Sequence, residues 1–192
     1  MDRKDTRDTA GALLDAAQSL VQSRGFNAFS YKDLAREVGI RTASIHYHFP
    51  SKGDLGEALM GRYLAGLEAR LQELDDVQEN QLGRLKGFIE MYRETENQGA
   101  ICLCGSMASD LETLPAEVHQ VVRSYLEKSQ GWVEQKIMAG IAGGEFSASS
   151  TPQDLAATLV ASLQGALLMG RAGDGASVLD RVQRSFLSSL KS

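Results

Sequence analysis

The stretch that decides the fold is residues 25–55, GFNAFSYKDLAREVGIRTASIHYHFPSKGDL. Ser30 and Asp33 stand three apart in it, a hydroxyl and a carboxylate that can serve the free amides of a new helix's first turn. Leu34, Ala35 and Val38 then make one apolar face, and Gly39 supplies the left-handed residue at which helices stop. That spacing predicts a helix only about nine residues long. A third short apolar set, Ile40, Ile45 and Phe49, follows at once and ends at Pro50. Upstream, Leu13, Leu14, Ala16, Ala17, Leu20 and Val21 recur at helical spacing, and Gly25 is well placed to end that helix. Two short helices around a tight glycine turn, after one longer helix, have the shape of a three-helix unit with a helix-turn-helix.

In such a unit the second short helix lies in the major groove of DNA, its early residues at base edges and its flanks at phosphates. Here that helix runs over Arg41, Thr42, Ala43, Ser44, Ile45, His46, Tyr47 and His48. Its outward residues are small, hydroxyl-bearing or hydrogen-bonding, which suits close approach to a groove. An ordinary helical hairpin with a polar face has the same pattern, and periodicity does not separate the two.

Outside this stretch the chain reads as helix throughout. Ser51 and Asp54 repeat the start signal and open a longer helix carrying Leu55, Leu59, Leu64, Leu67, Leu71 and Leu74. Leu82, Leu85, Phe88, Ile89 and Tyr92 mark another, ending near Gly99, and residues 100–112 read as a short apolar helix. Pro115 opens a long helix that Gly143 and Gly144 close. Thr151 and Asp154 start one at 152–170 that is apolar nearly all round, which predicts burial on more than one side. A last helix spans about 176–190. The expectation is an all-α chain of about nine helices: an N-terminal domain at residues 1–54 and a second helical domain at 55–192.

Composition agrees with this reading. Among 192 residues Leu and Ala number 46 and Val and Ile 16, with 3 prolines, which favours helix over sheet. The hydrophobic content of 43% and charged content of 23% fit a globular protein and exclude a wholly disordered chain. No run approaches the roughly 18 uninterrupted apolar residues of a membrane span, and no secretory pattern opens the chain, so no membrane is expected. Two cysteines are too few for a disulfide framework, which points to a reducing, cytoplasmic setting. The net charge of −5 is unevenly spread: residues 1–54 carry eight Lys/Arg against seven Asp/Glu, and the remainder twelve against eighteen. A near-neutral head on an acidic body is compatible with DNA contact at one end.

Residues 25–39 and 45–55, from Gly25-Phe26-Asn27 through Ile45-His46-Tyr47-His48-Phe49-Pro50-Ser51-Lys52-Gly53-Asp54-Leu55, closely resemble the DNA-binding head of the TetR family of bacterial repressors. The later helices resemble that family's regulatory domain in number and order. The resemblance implies a repressor released from its operator by a small-molecule effector, and a homodimer formed through residues 152–190. By position, phosphate contacts fall on Ser30, Tyr31, Tyr47 and Lys52. Base-edge contacts fall on Arg41, Thr42, Ser44 and His46, with Ala43 small enough to let the helix approach. Arg41 stands where the family often has a Ser/Thr cap, and it can pair with guanine or hold a phosphate. Thr42 replaces a common lysine, and His46 a frequent tyrosine. The competing reading on the same fold is a ligand-binding or interaction module with no operator of its own.

An apolar effector cavity is expected from Phe88, Met91, Tyr92, Cys104, Met107, Tyr125 and Trp132, with Met169 a further candidate, although a solid core uses the same residue types. Cys102 and Cys104 are poorly spaced for a mutual disulfide, because an extended chain sets their Cα atoms about 7 Å apart. Three histidines without a cysteine or acidic cluster at ligand spacing give no metal site. No phosphate loop, nucleophile elbow or triad spacing is present, so neither an enzyme nor a cofactor is expected.

Overall fold

The computed structural model describes residues 3–173 and 176–191. Among these, nine α-helices and two short 3-10 turns account for the regular structure, and there is no strand. The helices are α1 (Arg3–Arg24), α2 (Tyr31–Val38), α3 (Thr42–His48), α4 (Lys52–Val77), α5 (Gln81–Asn97), α6 (Leu103–Ser109), α7 (Ala116–Ala142), α8 (Pro152–Ala172) and α9 (Ala176–Ser189). The 3-10 turns are Phe26–Ala28, between α1 and α2, and Leu111–Thr113, after α6. Residues 100–112, expected as one helix, are therefore α6 followed by a tighter turn.

The chain divides into two compact units. The first comprises Met1–Ala65 and Leu103–Arg123, and so joins α6 and the start of α7 to the three N-terminal helices. Its centre is apolar: Leu13, Ala17, Val21, Leu34, Ile45, Leu55, Leu59 and Met60 are all inaccessible to solvent. Two glycines near the start of α4 permit this packing. A Cβ on Gly53 would stand 2.6 Å from Pro115 Cγ, and one on Gly56 would stand 3.1 Å from the Phe26 ring. From α6, Ser106 Oγ donates to the Val21 carbonyl at 3.1 Å.

The second unit comprises Gly66–Cys102 and Ser124–Ser192, with α8 packed on α9 and on α5. Asp75 joins three helices there. Its carboxylate accepts the Trp132 indole N–H at 3.1 Å and lies 2.6 Å from Lys136 Nζ, while its carbonyl accepts from Arg84 at 3.0 Å. Glu145, in the loop after α7, accepts the Gln81 and Leu82 amides at 2.9 and 2.7 Å and so caps α5 from about sixty residues away in sequence. By length and average composition alone, α8 is apolar enough to cross a membrane, as the core helix of a soluble protein also can be. Its apolar residues are interrupted by Thr158, Ser162 and Gln164, so the expected absence of a long uninterrupted apolar run holds. Leu155, Ala156, Leu159, Val160, Leu163, Ala166 and Leu167 of α8 are buried against its neighbours.

Candidate nucleic-acid interface

The start signals read from the sequence form as capping boxes. Ser30 Oγ accepts the Asp33 amide at 3.3 Å while the Asp33 carboxylate accepts the Ser30 amide at 2.9 Å. Ser51 and Asp54 repeat the arrangement at α4, at 3.2 and 2.8 Å. These hydrogen bonds hold both aspartate carboxyls below the usual range, the serine hydroxyl contributing most. Gly39 takes φ +75°, and its amide closes α2 on the Ala35 carbonyl at 2.9 Å. α3 starts at once, so the two helices meet across a short, tight turn.

Burial along α3 separates its two faces. Ile45 and Phe49 enter the core, and Thr42 and His48 are half-buried. Arg41, Ala43, Ser44, His46 and Tyr47 are exposed, and Tyr47 is a large side chain 73% exposed, touched edge-on by the His48 ring. Arg41 is the residue before the first turn, but its side chain makes no cap. The guanidinium thus stands at the helix start, beside the small exposed residues. His46 is less free: its Nδ1 lies 3.1 Å from the Pro50 carbonyl, and its ring packs edge-on to Tyr31 at 4.9 Å.

Three residues expected at phosphates have their polar ends engaged inside the head. Ser30 Oγ donates to the Asp33 carboxylate at 2.7 Å. The Tyr31 hydroxyl shares its one proton between the Phe49 and Ser51 carbonyls, at 2.9 and 2.5 Å. Burial, and then Asp54, push its pKa up to about 12, so it stays a donor. Lys52 Nζ donates to the Phe26 and Phe29 carbonyls at 2.6 and 2.5 Å and lies over both phenyl rings, 4.8 and 4.3 Å from their centres. Burial lowers the pKa of this ammonium, opposed by the carboxylates of Asp110 and Asp33. The physical reason is local. The turn at 26–29 leaves carbonyls without helical partners, and a lysine at the start of α4 is the nearest cation. What α2 still presents is its helix start, where the Tyr31 and Lys32 amides have no intrahelical acceptor.

The residues expected around an effector are buried almost without exception. Phe88, Tyr92 and Trp132 form one aromatic cluster in the second unit, with Phe88 5.6 Å from Tyr92 and stacked on Trp132 at 5.8 Å. Tyr125 is buried in the same unit, and Met91 is half-buried. Cys104 and Met107 belong to the first unit and are fully buried. The Cys104 thiol donates to the Val122 carbonyl at 3.7 Å, while Gln164 Nε2 lies 3.3 Å from Cys102 Sγ. No group of three or more metal-ligating side chains occurs among the described residues.

Comparison with known proteins agrees with this geometry. Residues 13–59 match the family model for bacterial regulatory proteins of the tetR family, and residues 82–186 match the tetracyclin repressor-like C-terminal domain. The repressor KstR2 of Mycobacterium tuberculosis is 33% identical over 91 residues, which is 47% of this chain and 46% of that one. The chain thus aligns with about half the length of that relative. KstR2 of Mycolicibacterium smegmatis is 29% identical over 136 residues, covering 70% of this chain and 65% of that one. A TetR-family regulator from Agrobacterium tumefaciens superposes with a TM-score of 0.93 at 31% identity, over 97% of this chain and all of the other. One from Legionella pneumophila gives 0.84 at 29% identity, over 94% and 96%. With a helix-turn-helix whose second helix bares a small, hydrogen-bonding face, and with both domain models matched in order, the chain belongs to the TetR family of DNA-binding transcriptional regulators.

Proposed function

We propose that the protein is a cytoplasmic homodimeric repressor that binds an operator through α3 and leaves it when a small-molecule effector binds. The observation that carries the reading is the exposed face of α3, where the side chains of Arg41, Ala43, Ser44 and Tyr47 face outward and Arg41 makes no side-chain cap. In this reading Arg41, Thr42, Ser44 and His46 meet base edges and Ala43 gives clearance. Tyr47 and the free amides at the start of α2 meet phosphates. Ser30, Tyr31 and Lys52 fix the shape of that surface from within. A gel shift with DNA from the protein's own promoter region, at stated salt, tests it. Binding no tighter than to scrambled DNA of equal length would reject the reading.

The dimer is proposed to form through residues 152–190. Two heads reading half-sites about one helical turn apart (~34–36 Å) supply the affinity that one three-helix head lacks. Leu168 and Met169 of α8 are 53% and 60% exposed, and an open groove of about 460 Å³ runs between α8 and α9 beside Leu155, Leu159, Val182 and Phe186. Such apolar exposure beside the buried face of α8 suits a second copy of the same face. The effector is proposed to be partly apolar and to lie in the second unit near Phe88, Met91, Tyr92, Tyr125 and Trp132. Cys104 and Met107, sealed in the first unit's core, are left out of that set.

A further inference from the structure

The corner between α1 and α2 is held by a part of the chain far away in sequence. Gly25 takes φ +92° and the chain enters the 3-10 turn Phe26–Ala28, whose opening amides no cap within the turn satisfies. The Asp110 carboxylate, just beyond α6, satisfies them instead. Its Oδ2 accepts the Phe26 amide at 3.0 Å and the Asn27 amide at 3.3 Å. Thr113 Oγ1 accepts the Asn27 carboxamide N–H at 2.8 Å and donates to the Asp110 carbonyl at 2.7 Å, so the two polar groups form one bracket. The opposite end of the same turn is held by Lys52, through the Phe26 and Phe29 carbonyls. Phe26 is thus gripped at both sides of its backbone, its N–H by an anion and its carbonyl by a cation. The next residue but one after Phe29 begins α2, so the pitch of this turn sets the angle at which the helix-turn-helix leaves α1.

We propose that Asp110 is a positioning residue for DNA binding: by capping the α1–α2 corner it holds α2 and α3 at the angle the operator requires. Nothing in α1–α4 supplies this carboxylate, although those helices form the recognition head. Asp110 sits instead within residues 82–186, the part that matches the C-terminal family model. The inference rests on the operator-binding reading and adds to it a residue that would never touch DNA.

The test uses the full-length protein and the variants Asp110→Ala and Asp110→Asn, the second of which keeps the shape and one acceptor oxygen. Fluorescence anisotropy measures binding to a labelled fragment of the protein's own promoter and to a scrambled fragment, at one salt concentration. Hydrogen exchange follows the amides of residues 25–29, and circular dichroism fixes the folded fraction. Both variants are expected to exchange the Phe26 and Asn27 amides faster. Asp110→Ala should lose promoter affinity roughly tenfold or more, the size of one missing hydrogen bond to a charged group. Affinity for scrambled DNA should hold, because its phosphate contacts tolerate a tilted head, and Asp110→Asn should fall between. If the parent protein does not prefer its promoter, the operator-binding reading fails and this inference with it. If the parent prefers the promoter and both variants keep the same preference, the positioning role alone is overturned. Equal losses on both fragments that track the unfolded fraction also overturn it, in favour of simple stabilisation.

Discussion

Replacing Lys52 by alanine tests whether this charge belongs to the interior of the head or to DNA. Two hydrogen bonds from an ammonium to carbonyls disappear, at 2.6 and 2.5 Å, together with its seat over two phenyl rings. A hydrogen bond to a charged group contributes about 1.5–3 kcal/mol, and a cation over a ring at a partly exposed site about 0.5–1. Lys52 is only half-buried, so the low ends apply, near 4 kcal/mol in all for two hydrogen bonds and two rings. Removing the ammonium also relieves its desolvation, the burial that lowers its pKa. A net loss of about 2–3 kcal/mol remains, which for a chain of this length lowers the melting midpoint by roughly 4–12 °C. Circular dichroism melts read that shift. Anisotropy titrations across a salt series read the other quantity, the slope of log affinity against log salt. Because Lys52 touches no phosphate in this assignment, the slope should equal that of the parent protein once binding is corrected for the folded fraction. A melting point left unchanged, with a slope smaller by about one, would refute the assignment and give Lys52 to a phosphate.

Other perturbations have equally definite outcomes. Arg41→Ala should relax preference at one base pair of a selected operator, and equal losses on operator and random DNA would move Arg41 to a phosphate. Asp33 and Asp54 have folded pKa values below the unfolded value of 3.8, so their contribution to stability is full above that pH and fades as pH falls further. The double variant Asp33→Asn, Asp54→Asn should therefore melt with a flatter dependence on pH below about 4, and an unchanged acid slope would show that the caps do not carry it. Glu145→Ala removes the cap from the first amides of α5 and should cost about 1 kcal/mol, seen as a melting shift of roughly 2–4 °C. Leu168→Glu should give a monomer in sedimentation at micromolar concentration, whereas a surviving dimer would move the interface off that face of α8.

The helices are legible in the sequence because their signals are local. Ser30 with Asp33, Ser51 with Asp54 and Thr151 with Asp154 each lie three residues apart, and each pair forms the cap its spacing predicts. Gly39 and Gly144 both take the left-handed conformation that ends a helix. The apolar spacing in α3 likewise separates buried Ile45 and Phe49 from exposed Ser44 and Tyr47. The inward turn of Lys52 is not legible, since a lysine at a helix start looks the same whether it faces solvent or a neighbouring turn. Nor is Asp110, 84 residues beyond the amide it caps, or Glu145, 64 beyond Gln81. Long-range caps leave no periodic trace, because one carboxylate in an ordinary loop suffices. The break between α6 and the turn at Leu111–Thr113 is hidden for a related reason: the position of Asp110, just past the end of α6, is dictated by its partner at Phe26.

The bond between Trp132 and Asp75 has a practical use. Trp132 is the one tryptophan in the sequence, it is 7% exposed, and its indole N–H is spent on a carboxylate with Lys136 4.9 Å from the ring centre. Its emission therefore comes from a single site in the second unit, in the aromatic cluster with Phe88 and Tyr92, and nothing in the head contributes to it. A charge beside an indole shifts its colour, and a nearby aromatic or thiol changes its yield. The unlabelled protein thus carries its own optical reporter in the second unit for screening compound collections, and any coupling to operator binding would show in the same signal.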